Sequence, residues 1–563
     1  MPGEAIIRSS LRAVALGVLL ALVPALAGAG QAGDAAAGKR LYWDGIGADG
    51  APIRGVTQGD VEITGAQFSC VSCHRPSGFG TSEGGNYMPP IIGEVLFNPR
   101  TPDRNRNFKE LYQEVQPPGF WARVRQPRMR PAYDAAALAR ALRDGVDPGG
   151  HEFAPIMPRY DLSDEDVANI AAFLRTLSDE ISPGVDRRDI HFATIIGPDA
   201  DPEAAGAMLR TMELFFDWMN KDTEGDTQNP TFSPNYRSNF ISAYRYWQLH
   251  VWRLDGPPDT WRAQLEAKYA EQPVFATVSG LVEGPWDEIG AFCDDMRLPC
   301  IFPNAELPTP GEGRYGYSVF FNRGLALEAE ALGLHLGDQD AASGRVVQLH
   351  GPGPEGERPA RAFAAAMARV LPDVPVETVA YADAAGLRAA LARTAEADVL
   401  ALWPHDMATA LATLADAAPR AAQIYLPSAA KEPALATLPP GVMARTRLVW
   451  PYDKPDGYHP RKFRIRGWMH SRRLDVSHPR LQLQTYYALT MAQYSLLHMI
   501  DDFYRDYMLE IIEHQAENEL NPGTHPELAL GPGQRFASKG AFIAELAPDT
   551  RLGYRVVSDW IVP

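Results

Sequence analysis

Two cysteines and a histidine stand close together in the sequence Cys70-Val71-Ser72-Cys73-His74. Thiols at positions i and i+3 can each form a thioether bond to a haem vinyl group, and the next residue offers an imidazole nitrogen to the iron. A structural zinc site needs two further Cys or His ligands at metal spacing, and no second pair lies nearby. A redox-active C-x-x-C pair needs no trailing histidine. The motif therefore predicts one covalent haem c on Cys70 and Cys73, with His74 as an axial ligand of the haem iron.

Residues 1–29 have the pattern of a secretory signal peptide, which predicts export from the cytoplasm. Arg8 and Arg12 precede an apolar run over 13–26, and the small residues Ala27 and Ala29 provide cleavage sites. The run is short for a membrane span, and an uncleaved N-terminal anchor is the alternative. No later stretch reaches the about 18 apolar residues of a spanning helix. We therefore expect a periplasmic protein with no integral membrane segment after cleavage, which agrees with haem attachment outside the cytoplasm.

The length, charge and remaining cysteines limit what the rest of the chain does. At 563 residues the chain is too long for a single core and predicts several domains. Its formal net charge of -17 argues against nucleic acid as a partner. In an oxidising compartment we expect a disulfide between Cys293 and Cys300, and a buried pair of free thiols is the alternative.

Residues 31–182 form the first predicted domain, in which the haem motif lies between two helical segments. The first segment, around 35–42, contains Gly38 and Tyr42. The last begins with an S-x-x-D capping box and then has apolar side chains at helical spacing, namely Ser163 and Asp166 followed by Val167, Ile170, Phe173, Leu174 and Leu177. This arrangement resembles the class I cytochrome c family, which implies an all-α domain. The resemblance implies that Gly38 lets the first helix cross closely over Phe173 of the last.

The resemblance also implies which groups surround the iron. In the family, a proline carbonyl after the motif accepts a hydrogen bond from the second ring nitrogen of the axial histidine, and Pro89 or Pro90 matches that residue. The second axial ligand of the family is a methionine followed by proline, just before the last helix. Met157 matches this position, so the implied iron ligands are His74 and Met157.

Three other residues compete with Met157 for the sixth iron position. Met88 is so near His74 in sequence that its segment is expected to line the proximal side of the haem. Met129 lies in a basic run with no helix after it, whereas His151 lies on the same predicted loop as Met157. The 82 residues between His74 and Met157 are more than a minimal cytochrome needs, so His151 remains the main alternative.

The insertion between the two iron ligands is basic, although the whole chain is acidic. A solvated surface with one or two arginines neutralising haem propionates is one interpretation. A docking patch for an acidic redox partner is the other, because charge complementarity accelerates encounter. The basic residues are Arg100, Arg104, Arg106, Lys109, Arg123, Arg125, Arg128 and Arg130.

After a predicted linker at 183–189, the pattern from 190 to 563 changes to alternating strands and helices. Such alternation predicts parallel α/β sheets covered on both faces, and about 370 residues predict two lobes. The predicted strands are 191–196, 274–278, 300–302, 345–349, 376–380, 399–403 and 423–426, and the predicted helices are 204–219, 358–370, 385–394 and 407–417. This order resembles the type I periplasmic solute-binding proteins, as in the branched-chain amino acid-binding proteins. The resemblance covers about 190–450 and implies a two-lobed α/β fold.

From about 450 the chain continues into a predicted helical extension. Residues 486–517 are expected to form one long helix, and 528–540 an ordered loop before the last strands. His498, Asp501 and Asp502 fall on one face of that helix. Metal binding there is conceivable, but a solvated or salt-bridged face is the favoured interpretation.

The resemblance to binding proteins implies a ligand site at the carboxyl ends of the strands. The matching positions are Ser279, Gly280, Asn304, Tyr381 and His405, each of which could instead serve packing. The Ser or Thr that holds an amino acid carboxylate in the family is replaced by the run 284–286, Gly-Pro-Trp. This replacement argues against an amino acid as the ligand.

Together these patterns predict a periplasmic monohaem c-type cytochrome for electron transfer, fused to a module that senses or docks a small-molecule solute. The expected redox partners are a periplasmic dehydrogenase and an oxidase or another cytochrome. The alternative is the solute-binding component of an ABC-type transport system with an ancillary haem domain. A haem-dependent enzyme is disfavoured, because the sequence has no nucleophile–base pair and no G-x-G-x-x-G loop after a strand. We therefore expect an electron carrier and binding protein rather than an enzyme.

Overall fold

The computed structural model describes most of the chain after residue 32. The described ranges are 33–83, 86–99, 130–178, 180–228, 245–309, 316–338, 345–396, 398–430, 435, 437–454, 459–499, 503–515, 520–531, 533–547 and 553–563. The predicted signal peptide, Met129, Asp501, Asp502 and all the basic insertion residues except Arg130 lie outside them. The chain divides into two compact units, one of residues 1–72 and 131–176 and the other of residues 73–130 and 177–563.

Helices dominate the first unit, and helices alternate with strands through most of the second. The helices of the described ranges are α1 Ala35–Asp44, α2 Val71–His74, α3 Gly93–Leu96, α4 Ala135–Arg143, α5 Asp164–Leu174, α6 Pro202–Gln228, α7 Trp261–Glu271, α8 Asp287–Asp295, α9 Leu325–Asp338, α10 Pro354–Val370, α11 Ala384–Leu391, α12 Met407–Ala417, α13 Pro440–Met443, α14 Pro460–Ser471, α15 Pro479–Met499 and α16 Arg505–Gln515. The strands are β1 Arg54–Thr57, β2 Val61–Thr64, β3 Thr81–Glu83, β4 Asn86–Met88, β5 Arg159–Asp161, β6 Asp189–Ile196, β7 Tyr246–Arg253, β8 Ala276–Val278, β9 Leu281–Pro285, β10 Cys300–Ile301, β11 Asn304–Leu307, β12 Ser318–Val319, β13 Val346–His350, β14 Val376–Ala380, β15 Val399–Trp403, β16 Gln423–Pro427, β17 Thr446–Trp450, β18 Phe542–Leu546 and β19 Tyr554–Val556.

The first unit is built on the crossing of α1 and α5, as predicted. Gly38 lies at the crossing, where an added Cβ would be 2.0 Å from the carbonyl oxygen of Asn169. The rings of Tyr42 and Phe173 pack beside it with their centroids 5.1 Å apart. Only glycine permits this approach, because any side chain on α1 would occupy the backbone of α5.

Local sequence signals fix the ends of these helices, and a small sheet accompanies them. Ser163 and Asp166 form the predicted reciprocal capping box at the start of α5. α1 ends at Gly45, whose φ of 64° is the left-handed conformation that glycine adopts without strain.

The sequence predicted an all-α domain, whereas the structure adds an antiparallel sheet in the order β2-β1-β5. These strands are only three or four residues long, so they have no resolvable alternation of apolar residues.

The second unit contains two seven-stranded sheets, which accounts for the alternating pattern from 190 onward. The first sheet has the order β11-β9-β6-β8-β10-β12, with β7 also paired to β6, and its described pairings are parallel. Helices α6 and α15 contribute to the core of this sheet, which includes Met212, Phe215 and Tyr487. The predicted disulfide between Cys293 and Cys300 joins the helix α8 to β10.

The second sheet combines the predicted strands with the end of the chain. Its order is β14-β13-β15-β16-β17-β18-β19, and the strands β13 to β17 pair in parallel with one another. β18 and β19 add two antiparallel strands at one edge. The central strand β15 is buried at every position, and it reads in sequence as a continuous apolar run.

The segment that precedes β6 is held by the second unit. The main-chain NH of Ser182 donates to the carbonyl of Phe503 at 2.8 Å, and Arg505 donates to the carbonyl of Pro183 at 3.1 Å. An added Cβ on Gly184 would lie 2.2 Å from the main-chain nitrogen of Phe275. The predicted linker residues are thus packed against the domain that follows them.

The prediction of one long helix over 486–517 is wrong. Two helices, α15 and α16, occupy this region, and Phe503 and Tyr504 between them are not helical. Where the helix is interrupted, the carbonyl of Phe503 and the main-chain NH of Arg505 are both hydrogen-bonded to Ser182. A residue far away in sequence therefore satisfies backbone groups that a continuous helix would pair internally.

Among the helices of the described ranges, none is long and apolar enough to cross a membrane.

Candidate functional site

The haem motif forms the short helix α2, and its histidine is held in one ring orientation. His74 is buried, with 6% of its surface exposed. Its Nδ1 lies 3.1 Å from the carbonyl oxygen of Pro89, so Nδ1–H donates this hydrogen bond and Nε2 carries the lone pair. Burial lowers the pKa of His74 to about 4, although the Pro89 hydrogen bond acts in the opposite direction. A neutral imidazole with its Nε2 lone pair available is the form that ligates iron, so these residues fit the haem implied by the motif.

The segment after His74 turns sharply to bring Pro89 back to the imidazole ring. Gly78 and Gly80 have φ values of 75° and 76°, a region that favours glycine. The main-chain NH of Gly80 donates to the carbonyl of His74 at 3.1 Å. An added Cβ on Gly80 would lie 2.1 Å from the carbonyl oxygen of Met88. Met88 directly precedes Pro89, the proline that holds His74. This position agrees with the expectation that its segment lines the proximal side.

Met157 and its rival His151 lie in the loop between α4 and β5 of the first unit. Met157 is half-buried, and its main-chain carbonyl accepts a hydrogen bond from Arg159. The side chain of His151 is 43% exposed, with Nδ1 3.4 Å from the Oδ1 of Asp147. Both residues are half-buried, so burial does not distinguish them, and the Nδ1 of His151 faces the carboxylate of Asp147. Met157 stays the predicted sixth ligand, with His151 as the alternative.

Three of the five predicted solute-site residues come together at the first sheet. Ser279 Oγ lies 3.1 Å from Thr485 Oγ1, and Asn304 Nδ2 donates to the carbonyl of Gly280 at 3.1 Å. Asn304 Nδ2 also lies 3.4 Å from Ser279 Oγ. Ser279 has only 1% of its surface exposed, so its hydroxyl is committed to contacts within the chain. Of this group, Asn304 is the half-buried side chain that remains nearest to solvent.

The other two predicted residues lie at the same edge of the second sheet. Tyr381 follows β14 and His405 follows β15, and both strands pair with β13. The hydroxyl of Tyr381 is buried with no hydrogen-bond partner in the described residues, and burial raises the pKa of Tyr381 to about 12. His405 is exposed, and an added Cβ on Gly351 would be 2.6 Å from its Nδ1. An unpaired buried hydroxyl at a strand end is a group that a polar ligand can satisfy.

The run of Gly284, Pro285 and Trp286 does not supply a hydroxyl to this region. Trp286 is fully buried, and its indole NH donates to Ser318 Oγ at 3.1 Å. The main chain at Gly284 has a φ of 112°, which a larger residue would adopt only with strain. The side chain of Trp286 therefore serves packing.

Only His498 of the predicted metal-binding helix face belongs to the described residues, since Asp501 and Asp502 lie outside them. His498 Nδ1 lies 2.8 Å from the carbonyl oxygen of Tyr494 in the preceding turn. No group of three His, Cys, Asp or Glu side chains in the described ranges is arranged to hold a metal ion.

Two buried carboxylates were not predicted. Glu328 in α9 accepts hydrogen bonds from the main-chain NH and the hydroxyl of Ser428, at 2.7 and 2.6 Å. Glu510 in α16 accepts the same pair of bonds from Ser77, both at 2.7 Å. The partners are 100 and 433 residues apart in sequence, so no local pattern indicates them.

Known proteins resemble the two parts of the chain separately. Residues 35–178 match the cytochrome c family, and no curated protein sequence matches the chain significantly. A fatty acid ABC transporter substrate-binding protein from Thermomonospora curvata is similar in structure, with 14% identity, a TM-score of 0.51, and coverage of 68% of this chain and 95% of that one. A branched-chain amino acid ABC transporter from Thermus thermophilus with bound valine has 13% identity, covers 67% and 97%, and has a TM-score of 0.49. A leucine-binding protein from Thermotoga maritima has 12% identity, covers 66% and 99%, and has a TM-score of 0.48.

At 14% identity, the similarity to the Thermomonospora curvata protein establishes the fold alone. The chain contains a cytochrome c domain at residues 35–178, and most of the remainder has the α/β fold of the type I periplasmic binding proteins.

Proposed function

We propose that the protein is a periplasmic electron carrier, with one covalent haem c in its first domain and a two-lobed solute-binding module in its second. The observation that carries this proposal is the neutral, buried His74 directly after Cys70 and Cys73, with Nδ1 held by Pro89. With Met157 as the sixth ligand, no open iron position remains for oxygen or peroxide. Electron transfer therefore fits better than enzyme catalysis.

The chain's own residues set the properties of such a carrier. The carbonyl of Pro89 fixes the ring of His74 and increases the electron density at Nε2, which strengthens that nitrogen as a ligand. Burial of His74 shields its imidazole from solvent and keeps it neutral, which is the form that would bind haem iron. Because bound haem supplies only one-electron oxidation and reduction, the expected partners are a periplasmic dehydrogenase and a second cytochrome or an oxidase.

The solute-binding part of the proposal rests on the fold and on the polar groups at the strand ends. Binding proteins of two lobes close on their ligand by a hinge motion. Asn304 at the first sheet, and Tyr381 and His405 at the second, are the side chains we assign to ligand contact. The buried hydroxyl of Tyr381 gains a hydrogen bond when a polar ligand binds, which favours a small polar solute.

The haem assignment is tested by mass measurement and by the absorption spectrum of the oxidised protein. We expect the mass of one covalently attached haem and a weak long-wavelength sulfur-to-iron band. The Met157→Ala variant should lose this band, whereas Met88→Ala should keep it because Met88 lies on the proximal segment. An unchanged spectrum in Met157→Ala would refute the assignment. If His151→Ala changes the spectrum instead, His151 is the ligand.

The transport alternative is separated from sensing by a redox titration. Native mass measurement after mild extraction identifies any solute that copurifies. The haem reduction potential is then measured with that solute and after its removal by dialysis. A module that senses its ligand shifts the potential on binding, whereas a transport component binds equally well in both oxidation states and leaves the potential unchanged.

A further inference from the structure

A helix of the binding-protein domain touches the segment that follows the axial histidine. Both belong to the second compact unit. The main-chain NH of Ser77 donates to Glu510 Oε1 and its hydroxyl donates to Glu510 Oε2, both at 2.7 Å. The ring of Phe79 stacks on Tyr507 of the same helix, with centroids 5.0 Å apart and planes at 14°. Ser77 is fully buried, so water does not replace these contacts.

The helix α16 that carries Glu510 is fixed to the first sheet of the binding-protein domain. Arg505 at its start donates to the carbonyls of Val274, Phe275 and Met296 and to the hydroxyl of Tyr269. Hydrogen bonds from a buried guanidinium are among the stronger ones in proteins. Glu510 is therefore presented to Ser77 from a rigid support.

The same hydrogen bonds order the turn after His74. The hydroxyl of Ser77, which donates to Glu510, also accepts from the main-chain NH of Phe79 at 3.1 Å. Gly80, the residue after Phe79, donates to the carbonyl of His74. A change at Glu510 is thus transmitted through one side chain to the loop that positions the iron ligand.

Glu510 differs from the other carboxylates of its helix in having no cation beside it. Asp506 is paired with Arg297 and also accepts from the hydroxyl of Tyr317. Glu513 is paired with Arg535 at 2.6 Å. Among the described residues, no ion pair involves Glu510.

The charge on Glu510 is consequently costly to maintain. Burial raises the pKa of Glu510 well above its usual range. The two hydrogen bonds from Ser77 lower it, and the nearby Asp506 and Glu513 raise it further. The other titratable groups near the turn are Arg75, two residues before Ser77, and His74, which burial keeps neutral.

We propose that Glu510 is a positioning residue for the turn after His74 and takes up one proton from solvent when the haem accepts one electron. This inference rests on the proposed function, since it requires haem iron at His74. Reduction removes one positive charge from the iron, which reduces the stabilisation of a nearby anion. Glu510 then binds a proton on one carboxylate oxygen while Ser77 keeps the other hydrogen bond. The electron comes from a one-electron donor protein or, in the test, from an electrode.

Proton binding by Glu510 and electron binding by the haem favour each other in this proposal. Ionised Glu510 favours the ferric state, so it lowers the reduction potential at high pH. Below the pKa of Glu510 in both oxidation states, this contribution disappears. The potential of the wild-type protein therefore falls as pH rises, and each tenfold difference in proton affinity between the two oxidation states corresponds to about 59 mV.

The test is a spectroelectrochemical titration of the full-length holoprotein from pH 5 to pH 9. We expect Glu510→Gln to have a higher potential than wild type at the high-pH end of the titration. This difference should shrink as pH falls, because the wild-type carboxylate then takes up its proton. The matched control is Glu94→Gln, which removes an exposed carboxylate from the same segment and should leave the pH profile unchanged. A pH-independent potential in wild type, or an unchanged pH dependence in Glu510→Gln, overturns the proposal.

A second variant keeps the proposal testable if Glu510→Gln does not fold. Ser77→Ala removes one donor from the carboxylate and raises its pKa, so the pH-dependent region should move to higher pH. A profile that does not move overturns the proposal. Failure of the proposed function is distinguishable, because a protein without covalent haem gives no reversible haem spectrum at any pH.

Discussion

Glu328 gives the most quantitative prediction, because it is a buried carboxylate away from the haem segment. Only 3% of its surface is exposed, and burial raises its pKa to about 7 from the usual 4.5, against the two hydrogen bonds from Ser428. Each unit of pKa difference between folded and unfolded protein is worth about 1.4 kcal/mol. The folded pKa is the higher one, so the contribution of Glu328 to stability is present below pH 4.5 and is lost as pH rises through 7.

The perturbation is Glu328→Gln, which keeps the shape of the side chain and removes its titration. Relative to wild type, the variant should gain about 2.5 kcal/mol in free energy of unfolding between pH 5 and pH 8. The assay is urea unfolding of the full chain, followed by tryptophan fluorescence at each pH. The control is Glu357→Gln, an exposed carboxylate of α10, for which we expect no pH-dependent difference. A difference between Glu328→Gln and wild type that does not grow with pH would refute the reasoning.

Four further predictions concern the stability of local features. Gly38→Ala places a methyl group 2.0 Å from a carbonyl oxygen of the facing helix and should destabilise the cytochrome domain by about 3 kcal/mol. Gly206→Ala meets nothing within 4 Å and should stabilise α6 by about 1 kcal/mol. Each glycine variant is compared with wild type by circular dichroism, and a melting temperature equal to that of wild type would contradict the prediction for that variant. Replacing Cys293 and Cys300 by alanine should cost about 2.5 kcal/mol in urea unfolding, and no loss would indicate that the pair is unbonded in solution. Ser163→Ala should cost about 1 kcal/mol in thermal unfolding of the cytochrome domain because the capping box is lost, and Ser163→Thr should retain most of it.

Predictions from short sequence patterns agree closely with the structure. The capping box of Ser163, the crossing at Gly38 and the disulfide are all observed. The predicted strands 376–380 and 399–403 and the predicted helix 407–417 coincide with β14, β15 and α12. The capping box, the disulfide and these helices and strands depend on residues close together in sequence or on a strong apolar period, so local patterns are sufficient for them. The crossing at Gly38 joins residues that are distant in sequence, and its prediction came from the resemblance to the cytochrome c family.

Predictions that required distant partners were less complete. One long helix was predicted over 486–517, whereas the backbone of Phe503 and Arg505 bonds to the distant Ser182 between two helices. Ser279 was a candidate either for solute contact or for packing, and its hydroxyl lies against Thr485, a residue 206 positions later. In both cases a tertiary contact competes with a role that the local pattern suggests.

The sequence alone established the haem motif and the change from a cytochrome pattern to an α/β pattern. It also predicted an export signal. The identity of the proline that holds His74 was narrowed to two neighbours, and the tertiary structure selected Pro89. Only the tertiary structure placed Glu510 against Ser77, because the two residues are 433 positions apart and neither belongs to a motif. Attachment of a haem c needs two thiols and a histidine at one short fixed spacing, which the sequence records directly. The environment of a buried charge depends on which distant segments pack around it, and that is decided only when the chain folds.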